Sequence, residues 1–140
     1  MTKPADRTLG SLVAEVPGAR LVRGSPDTVV QALEYDSRQA KQGSLFIAVP
    51  GFVTDGHTYL PQVAAAGAAA AIVQADHVDS LLVLPETLAL VSVPATRPAQ
   101  ASAAAWFYGH PGREMVVIGV TGTDGKTTTS HLLTSVLEAA

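Results

Sequence analysis

Short apolar runs alternate along this chain with segments of helical pattern, and this alternation limits the fold more than any other feature. Apolar spacing and the positions of glycine and proline predict strands at residues 29–35, 44–49, 69–73, 81–84, 90–93 and 115–120. The same signals predict helices at residues 8–16, 57–66, 97–108 and 128–139. Because strands separated by helices pair mainly in parallel, we predict an α/β fold with helices packed on a parallel or mostly parallel sheet. The almost wholly apolar run at 44–49 favours a central strand.

The composition excludes several classes of protein. The chain has 140 residues, of which 47% are hydrophobic and 15% charged, enough for one compact domain and a fragment of another. A formal charge of −3 provides no basic surface for nucleic acid, and we predict no nucleic-acid partner. The apolar run at 64–73 is too short to span a membrane, so we predict no membrane partner either. The absence of cysteine is compatible with a reducing cytoplasm, where we expect a monomer.

A glycine-punctuated loop follows the strand predicted at 115–120 and leads into the last helix. Gly122 and Gly125 allow the backbone to turn tightly, so that its N–H groups can surround phosphate oxygens. Lys126 supplies a positive charge for the β- and γ-phosphates, and the Thr127 hydroxyl is suited to bind Mg²⁺. The positive end of the helix dipole points at the same anion. We therefore predict a binding site for ATP and Mg²⁺, with Lys126 as the catalytic residue and Thr127 as the metal ligand.

The spacing of this loop is unusual. The common phosphate-binding loop, G-x-x-x-x-G-K-[ST], needs a glycine where this chain has Val120. The compact variant found here, G-T-D-G-K-T-T-T, resembles the ATP-binding loop of the Mur ligase family. The resemblance implies that ATP contacts the following residues: Gly122, Thr123, Asp124, Gly125, Lys126, Thr127 and Thr128. The alternative is a turn without a ligand, which a lysine directly after the second glycine and three threonines disfavour.

A second pattern lies far from the loop. Its parts, in chain order, are D-S-R at 36–38, G-S-L-F-I-A-V at 43–49, Gly51, D-G-H at 55–57 and A-G-A at 66–68. This order resembles the UDP-sugar-binding domain of Mur ligases, and with the loop the resemblance covers nearly the whole chain. It is similar to the two members that extend UDP-N-acetylmuramoyl peptides at the third residue and at the terminal dipeptide. Gly122-Thr123 favours the first, although Asp124 stands where that member usually has asparagine.

The resemblance implies a domain organisation and a substrate site. Residues 1–113 would form the N-terminal, Rossmann-like domain of three α/β layers. Residues 114–140 would be the first strand, phosphate loop and helix of the central ATP-binding domain, so we expect a longer protein. The resemblance assigns uridine-nucleotide contacts to Tyr35 and Ser37 and to the loop of Phe52, Val53 and Thr54. From the residues alone, D-S-R could equally be a turn whose side chains cap the local backbone.

The resemblance also implies a reaction. An ATP-dependent ligase of peptidoglycan precursor synthesis would convert the terminal carboxylate of UDP-N-acetylmuramoyl-L-alanyl-D-glutamate to an acyl phosphate, which a diamino acid then attacks. The fragment alone would be inactive, because the amino-acid site and the ligands of a second magnesium ion would lie beyond residue 140. The added residue, meso-diaminopimelate or lysine, stays open. Alternatives are the dipeptide-adding ligase, a folylpolyglutamate or cyanophycin synthetase, a stand-alone nucleotide-sugar-binding module and a regulatory phosphate-loop protein.

Three histidines and a tryptophan are candidates of a different kind. His57 could act as a general base, but a histidine at a helix start is more often a capping or packing residue, which we favour. We expect Trp106 and His110 at a hinge between the two domains and His131 in a structural position.

Overall fold

The computed structural model describes residues 7–139, so the first six residues and Ala140 of the two predicted domains lie outside it. Its strands are β1 Arg20–Arg23, β2 Ala32–Glu34, β3 Ser44–Ile47, β4 Ala70–Gln74 and β5 Ala89–Val93. Its α-helices are α1 Leu9–Glu15, α2 Leu60–Ala65, α3 Val78–Leu81, α4 Thr96–Tyr108 and α5 Lys126–Glu138. Short 3₁₀ turns occur at Ser37–Gln39, Gly56–Tyr59, Ala75–His77 and Pro111–Arg113. Among the residues from 7 to 139, no helix is long and apolar enough to cross a membrane.

The strands form one sheet in the order β1-β5-β4-β3-β2. β2, β3, β4 and β5 run parallel to their neighbours, and only β1 pairs antiparallel, with β5. This confirms the predicted mostly parallel sheet. β3 pairs on both sides and is buried at every position, as its apolar sequence predicted, although β4 is the middle strand.

Helices cover both faces of the sheet. Leu45 and Ile47 of β3 enter a cluster formed with α1 and α4, whereas Phe46 of the same strand enters a cluster formed with α2 and α3. Successive side chains of a strand point to opposite faces, so an almost wholly apolar strand needs cover on both. The result is the predicted α/β architecture of three layers.

The strand predicted at residues 81–84 is wrong. The segment is the end of α3 and the turn after it. Leu81 and Leu84 are buried, whereas Leu82 and Val83 are exposed. Apolar residues three positions apart lie on one face of a helical turn, so an apolar run this short does not distinguish a helix end from a strand.

The strand predicted at residues 115–120 is also absent. The segment has no regular structure, and Met115 and Val116 are exposed. α5 likewise has no buried residue. A strand needs a neighbour for its N–H and C=O groups, and in the described range every strand of the sheet lies before residue 94.

Strand β1 is present in the structure although it was not predicted from the sequence. Arginines stand at both its ends, and exposed and half-buried residues alternate along it, as is typical of an edge strand. The Arg23 guanidinium donates hydrogen bonds to the carbonyl oxygens of Leu84 and Leu88 at 3.0 Å, and to two others in the same loop. These bonds link β1 to the chain that leads into β5.

We predict that residues 1–113 fold without the rest of the chain. Both apolar clusters consist of residues between Leu9 and Phe107, so removing residues 114–140 removes no buried side chain from them. The shortened protein should therefore unfold cooperatively on heating, with a midpoint close to that of the 140-residue chain. Circular dichroism of both proteins measures this. A broad transition without cooperativity would contradict the domain boundary.

Candidate functional site

A cleft of about 500 Å³ opens at the carboxyl ends of β2 and β3. This is the edge at which parallel sheets place ligand-binding groups. The residues that line it are Tyr35, Asp36, Ser37, Arg38, Phe46, Val49, Thr54, Gly56, Tyr59 and Gln62. The structure therefore brings three of the predicted substrate residues, Tyr35, Ser37 and Thr54, into one cleft.

Asp36 and Arg38 form the wall of this cleft that follows β2. The Asp36 carboxylate accepts the Arg38 backbone N–H at 3.0 Å and caps the turn at Ser37–Gln39. The Arg38 guanidinium binds the same carboxylate through both oxygens, Nε to Oδ1 at 2.9 Å and Nη2 to Oδ2 at 2.6 Å. These bonds lower the pKa of Asp36 to about 2. Asp36 thus caps its own turn, as expected if D-S-R is a turn whose side chains cap the local backbone. Tyr35 and Ser37 line the cleft.

The Gly51–Thr54 loop forms the opposite wall. The Gly51 N–H donates to the Thr54 carbonyl oxygen at 3.0 Å, and a side chain at position 51 would meet that oxygen at 2.7 Å, so the turn needs glycine. Only Thr54 of the predicted trio lines the cleft. Phe52 and Val53 do not, because the tight turn holds them at its tip with exposed fractions of 104% and 97%.

Asp55, directly after this loop, is held by the buried His57. The Asp55 carboxylate accepts the His57 backbone N–H at 2.9 Å and lies 2.6 Å from His57 Nδ1. His57 Nε2 accepts the Gln74 backbone N–H at 3.0 Å, so Nδ1 has the proton and donates it to Asp55. Both ring nitrogens are used inside the fold. This confirms His57 as a packing residue and leaves it no free nitrogen for general base catalysis.

His77 extends this network, and the sequence analysis missed it. Its ring stacks on His57 with centroids 4.0 Å apart, and its nitrogens lie 2.8 Å from Asp76 Oδ1 and 3.1 Å from Asp55 Oδ2. The hydrogen bond to Asp76 raises the pKa of His77. Burial acts to raise the pKa of Asp55, but the His57 hydrogen bonds and the positive charge of His77 outweigh it, and the pKa is lowered. A signal was available, because Asp76 and His77 follow β4 directly, at the ligand-binding edge of the sheet.

The same cluster has the residue types of a metal site. The ligand atoms of Asp55, His57 and His77 lie within 4.8 Å of one another. A metal on His57 Nδ1 would have to displace the proton donated to Asp55, while Nε2 still accepts a backbone N–H. A neutral imidazole cannot do both. The arrangement therefore fits a hydrogen-bond network better than a metal centre.

The Gly122–Thr128 loop leads directly into α5. Gly122 and Gly125 have φ of 154° and 73°, values that favour glycine, and Gly125 caps the helix. The helix begins at Lys126, two positions before the predicted Thr128, because Lys126 and Thr127 already have helical conformation. The Lys126 ammonium donates to the carbonyl oxygens of Gly122 and Thr123.

The groups gathered at this helix start suit a triphosphate with its metal. The first N–H groups of a helix have no partner inside it, and the dipole makes this end positive. Beside them stand the Lys126 ammonium and the exposed Thr127 and Thr128. Hydroxyl oxygens suit Mg²⁺, and an ammonium suits phosphate oxygens. Asp124 is exposed in the same loop.

Trp106 and His110 occupy different environments. Trp106 is buried in the cluster of α1 and α4, and its indole N–H donates to Ser11 Oγ at 3.0 Å. The expectation that Trp106 lies at a domain hinge is therefore wrong. His110 follows the helix end at Gly109 in the left-handed conformation, with φ of 54°, and its Nε2 contacts the Glu15 carboxylate.

The family model described as "Mur ligase family, catalytic domain" matches residues 29–111. This is more than half of the chain, and it includes the whole cleft. The chain belongs to the Mur ligase family. The matched segment ends before the Gly122–Thr128 loop, so the assignment does not depend on the phosphate-loop motif.

Individual Mur ligases extend this match. A UDP-N-acetylmuramyl-tripeptide synthetase from Roseiflexus sp. (strain RS-1) is 48% identical over 79% of this chain and 21% of its own length. A UDP-N-acetylmuramoyl-L-alanyl-D-glutamate--2,6-diaminopimelate ligase from Geobacillus thermodenitrificans is 41% identical over 94% of this chain and 25% of its own, a stretch long enough to include residues 122–128. A crystal structure of MurF from Acinetobacter baumannii superposes with a TM-score of 0.64 and 27% identity, over 96% of this chain and 27% of that one. The chain thus spans about a quarter of the length of these relatives.

We predict an unusually acidic carboxyl group in the cleft of this Mur ligase. The Asp36 carboxyl should titrate near pH 2 rather than near 3.8, because Arg38 stabilises its charged form. The ion pair should therefore be complete above about pH 4 and be lost as the pH falls through about 2. Carbon-13 NMR of the labelled carboxyl follows this titration.

The matched variant is Arg38→Gln, which removes the charge and keeps a polar side chain. In this variant the pKa of Asp36 should move back toward 3.8, although the backbone bond to residue 38 still lowers it somewhat. Identical titrations in the two proteins would show that the ion pair is not formed in solution.

Proposed function

We propose that this chain is the uridine-nucleotide-binding part, and the beginning of the ATP-binding part, of an ATP-dependent ligase. The ligase joins a diamino acid to UDP-N-acetylmuramoyl-L-alanyl-D-glutamate in peptidoglycan precursor synthesis. The main support is the match to the Geobacillus thermodenitrificans ligase, which spans both the cleft and the Gly122–Thr128 loop. We place the reaction in the cytoplasm, where ATP is available.

The cleft would bind the uridine end of the substrate. Tyr35 offers an exposed aromatic ring on which a base can stack, and Ser37 offers a hydroxyl next to it. Thr54 faces them from the other wall. The exposed Phe52 and Val53 would close over the nucleotide, which provides a reason for two apolar residues at a loop tip.

The Gly122–Thr128 loop would bind ATP. Bound ATP supplies the phosphoryl group that turns the substrate carboxylate into an acyl phosphate, the form that the incoming amine can attack. Lys126 would exchange its bonds to the Gly122 and Thr123 carbonyl oxygens for phosphate oxygens, and neutralise their charge during transfer. Thr127 would hold Mg²⁺ through its hydroxyl. The Asp124 carboxylate would point away from the phosphates, because like charges repel.

A second candidate function is supported by the solved structures. One of them, the UDP-N-acetylmuramoylalanyl-D-glutamyl-2,6-diaminopimelate--D-alanyl-D-alanyl ligase from Acinetobacter baumannii, superposes over 99% of this chain with a TM-score of 0.62. The alternative is therefore the ligase that adds the terminal dipeptide. Incubating the full-length protein with either UDP-linked substrate, and with diaminopimelate, lysine or D-alanyl-D-alanine, separates the two functions by the product formed.

We predict that the cleft binds the uridine end of the substrate without the rest of the enzyme. Titration of UDP-N-acetylmuramoyl-L-alanyl-D-glutamate into the labelled 140-residue chain should shift the amide signals of residues 35–38 and 51–54. Binding should be weak, because the remainder of the ligand would contact other domains. UDP alone should shift the same signals. Shifts confined to other loops would contradict the assignment of the cleft.

We predict that Lys126 is required for turnover in the full-length ligase. The Lys126→Ala variant should lose about a hundredfold or more in kcat, since a lost charge contact to the transition state typically costs this much. Nucleotide binding should fall less, because the helix start still contacts the phosphates. Phosphate release coupled to product formation is the assay.

Two matched variants complete this experiment. Lys41→Ala removes an exposed lysine, whose ammonium lies 3.7 Å from Glu34 Oε1, and should leave turnover unchanged. Asp124→Asn removes the negative charge two residues before Lys126 and should retain activity. Near-normal turnover of Lys126→Ala would mean that the loop is only a structural turn.

A further inference from the structure

The Gly51–Thr54 loop is attached to the fold at both ends by side chains. At one end, Asp55 is held by the buried His57, as described above. At the other end, the Pro50 carbonyl oxygen accepts a hydrogen bond from Arg97 Nη2 at 2.8 Å. We propose that Arg97 is a positioning residue that holds the Gly51–Thr54 loop in place to receive the nucleotide. The proposal rests on the function proposed above for this loop.

The position of Arg97 in the fold suits this task. Arg97 stands in the first turn of α4, a helix anchored in the core by residues such as Ala99 and Trp106. A cation at a helix start is disfavoured by the helix dipole, and a carbonyl oxygen in reach of the guanidinium compensates for it. Because α4 follows β5 directly, Arg97 lies at the same edge of the sheet as the cleft. It therefore connects the loop to a rigid element.

Arg97 also faces the tip of the loop. Its guanidinium carbon lies 6.0 Å from the centre of the Phe52 ring, the outer limit of a cation–π contact. The ring is otherwise fully exposed. One side chain thus binds the beginning of the loop and lies near the residue that we expect to cover the nucleotide.

The expected benefit is a smaller loss of conformational freedom on binding. The Asp55 end is fixed by its bonds to the buried His57, and Pro50 pairs with Asp55 in an isolated β-bridge. Arg97 adds a side-chain restraint at the Pro50 end, to an element outside the loop. A loop that is already ordered gives up less entropy when the ligand arrives. Removing Arg97 should therefore weaken binding of the UDP-linked substrate and leave the phosphoryl-transfer step unchanged.

Steady-state kinetics of the full-length ligase test this. In Arg97→Ala, KM for UDP-N-acetylmuramoyl-L-alanyl-D-glutamate should rise about three- to tenfold, the range expected for ordering one or two side chains. The KM for ATP and kcat should stay within about twofold of the wild type, because the positioning role concerns only the loop that receives the UDP-linked substrate. Arg97→Lys should recover part of the loss, since lysine can still donate to the Pro50 carbonyl oxygen. Arg20→Ala, an exposed arginine on the edge strand β1, is the matched control and should change nothing.

A double-mutant cycle separates positioning from direct contact with the ligand. If Arg97 acts through the loop, the effect of Arg97→Ala on KM should be smaller in a Phe52→Ala background than in the wild type. Equal effects in both backgrounds would mean that Arg97 acts on the ligand independently of the loop, and would overturn the proposal. An unchanged KM in Arg97→Ala would overturn it too. So would a parallel change of all kinetic constants together with a lower melting temperature, because Arg97 would then only stabilise the fold.

Failure of the proposed function would look different. In that case the wild-type ligase would form no product from any UDP-linked substrate. Amide hydrogen exchange of the 140-residue chain would still test whether Arg97 orders the loop. The Gly51 N–H is bonded to the Thr54 carbonyl oxygen inside the loop, so its exchange rate reports how often the loop opens. Faster exchange of Gly51 in Arg97→Ala than in the wild type and in Arg20→Ala supports the positioning role. Equal exchange rates in the three proteins overturn it.

Discussion

Side chains of β3 and β4 enter two separate apolar clusters, one on each face of the sheet, and the polar residues of these strands, Ser44 and Gln74, stand at strand ends. A strand buried on both faces can place chemical groups only where it ends, because an unpaired polar group inside the core costs several kcal/mol, roughly 2–7 by transfer measurements. The cleft between Tyr35 and Thr54 begins directly after β2 and β3 for this reason. The double burial of the sheet thus determines where the cleft can form.

The network of Asp55, His57 and His77 places polar groups in partly buried positions, but it too lies where strands end. Its polar groups are partly or fully buried at the carboxyl edge of the sheet, and each nitrogen of the two rings has a partner within 3.1 Å. A buried polar network stabilises a fold only when its members are satisfied in this way. The network connects the Gly51–Thr54 loop to the end of β4. Together with Arg97 at the other end, it makes an exposed loop part of the rigid domain.

The last part of the chain is organised on another principle. The helix start at Lys126 needs only the left-handed Gly125 before it and the helical residues after it, all of which are neighbours in sequence. A helix forms its hydrogen bonds within one segment, whereas a strand forms them with another segment. This is why α5 is present while residues 115–120 have no strand structure, although both were predicted from equally clear patterns.

The local spacing of apolar residues and glycines in the sequence was enough to predict the buried strands, the long helix α4 and the glycine turn. It placed β3, β4, β5, α4 and the glycine turn before α5 correctly to within a few residues, because apolar periodicity and glycine positions act over short distances. It could not determine β1 or the end of α3, since an edge strand with arginines and a short apolar run have no distinctive period. Only the tertiary structure decided that His77 stacks on His57, that Arg97 binds the Pro50 carbonyl oxygen, and that Phe52 and Val53 lie outside the cleft. The partners in the first two contacts are far apart in the chain, and the pairing of β3 with β4 and of β4 with β5 brings them to the carboxyl edge of the sheet. The exposure of Phe52 and Val53 depends on how their turn is held.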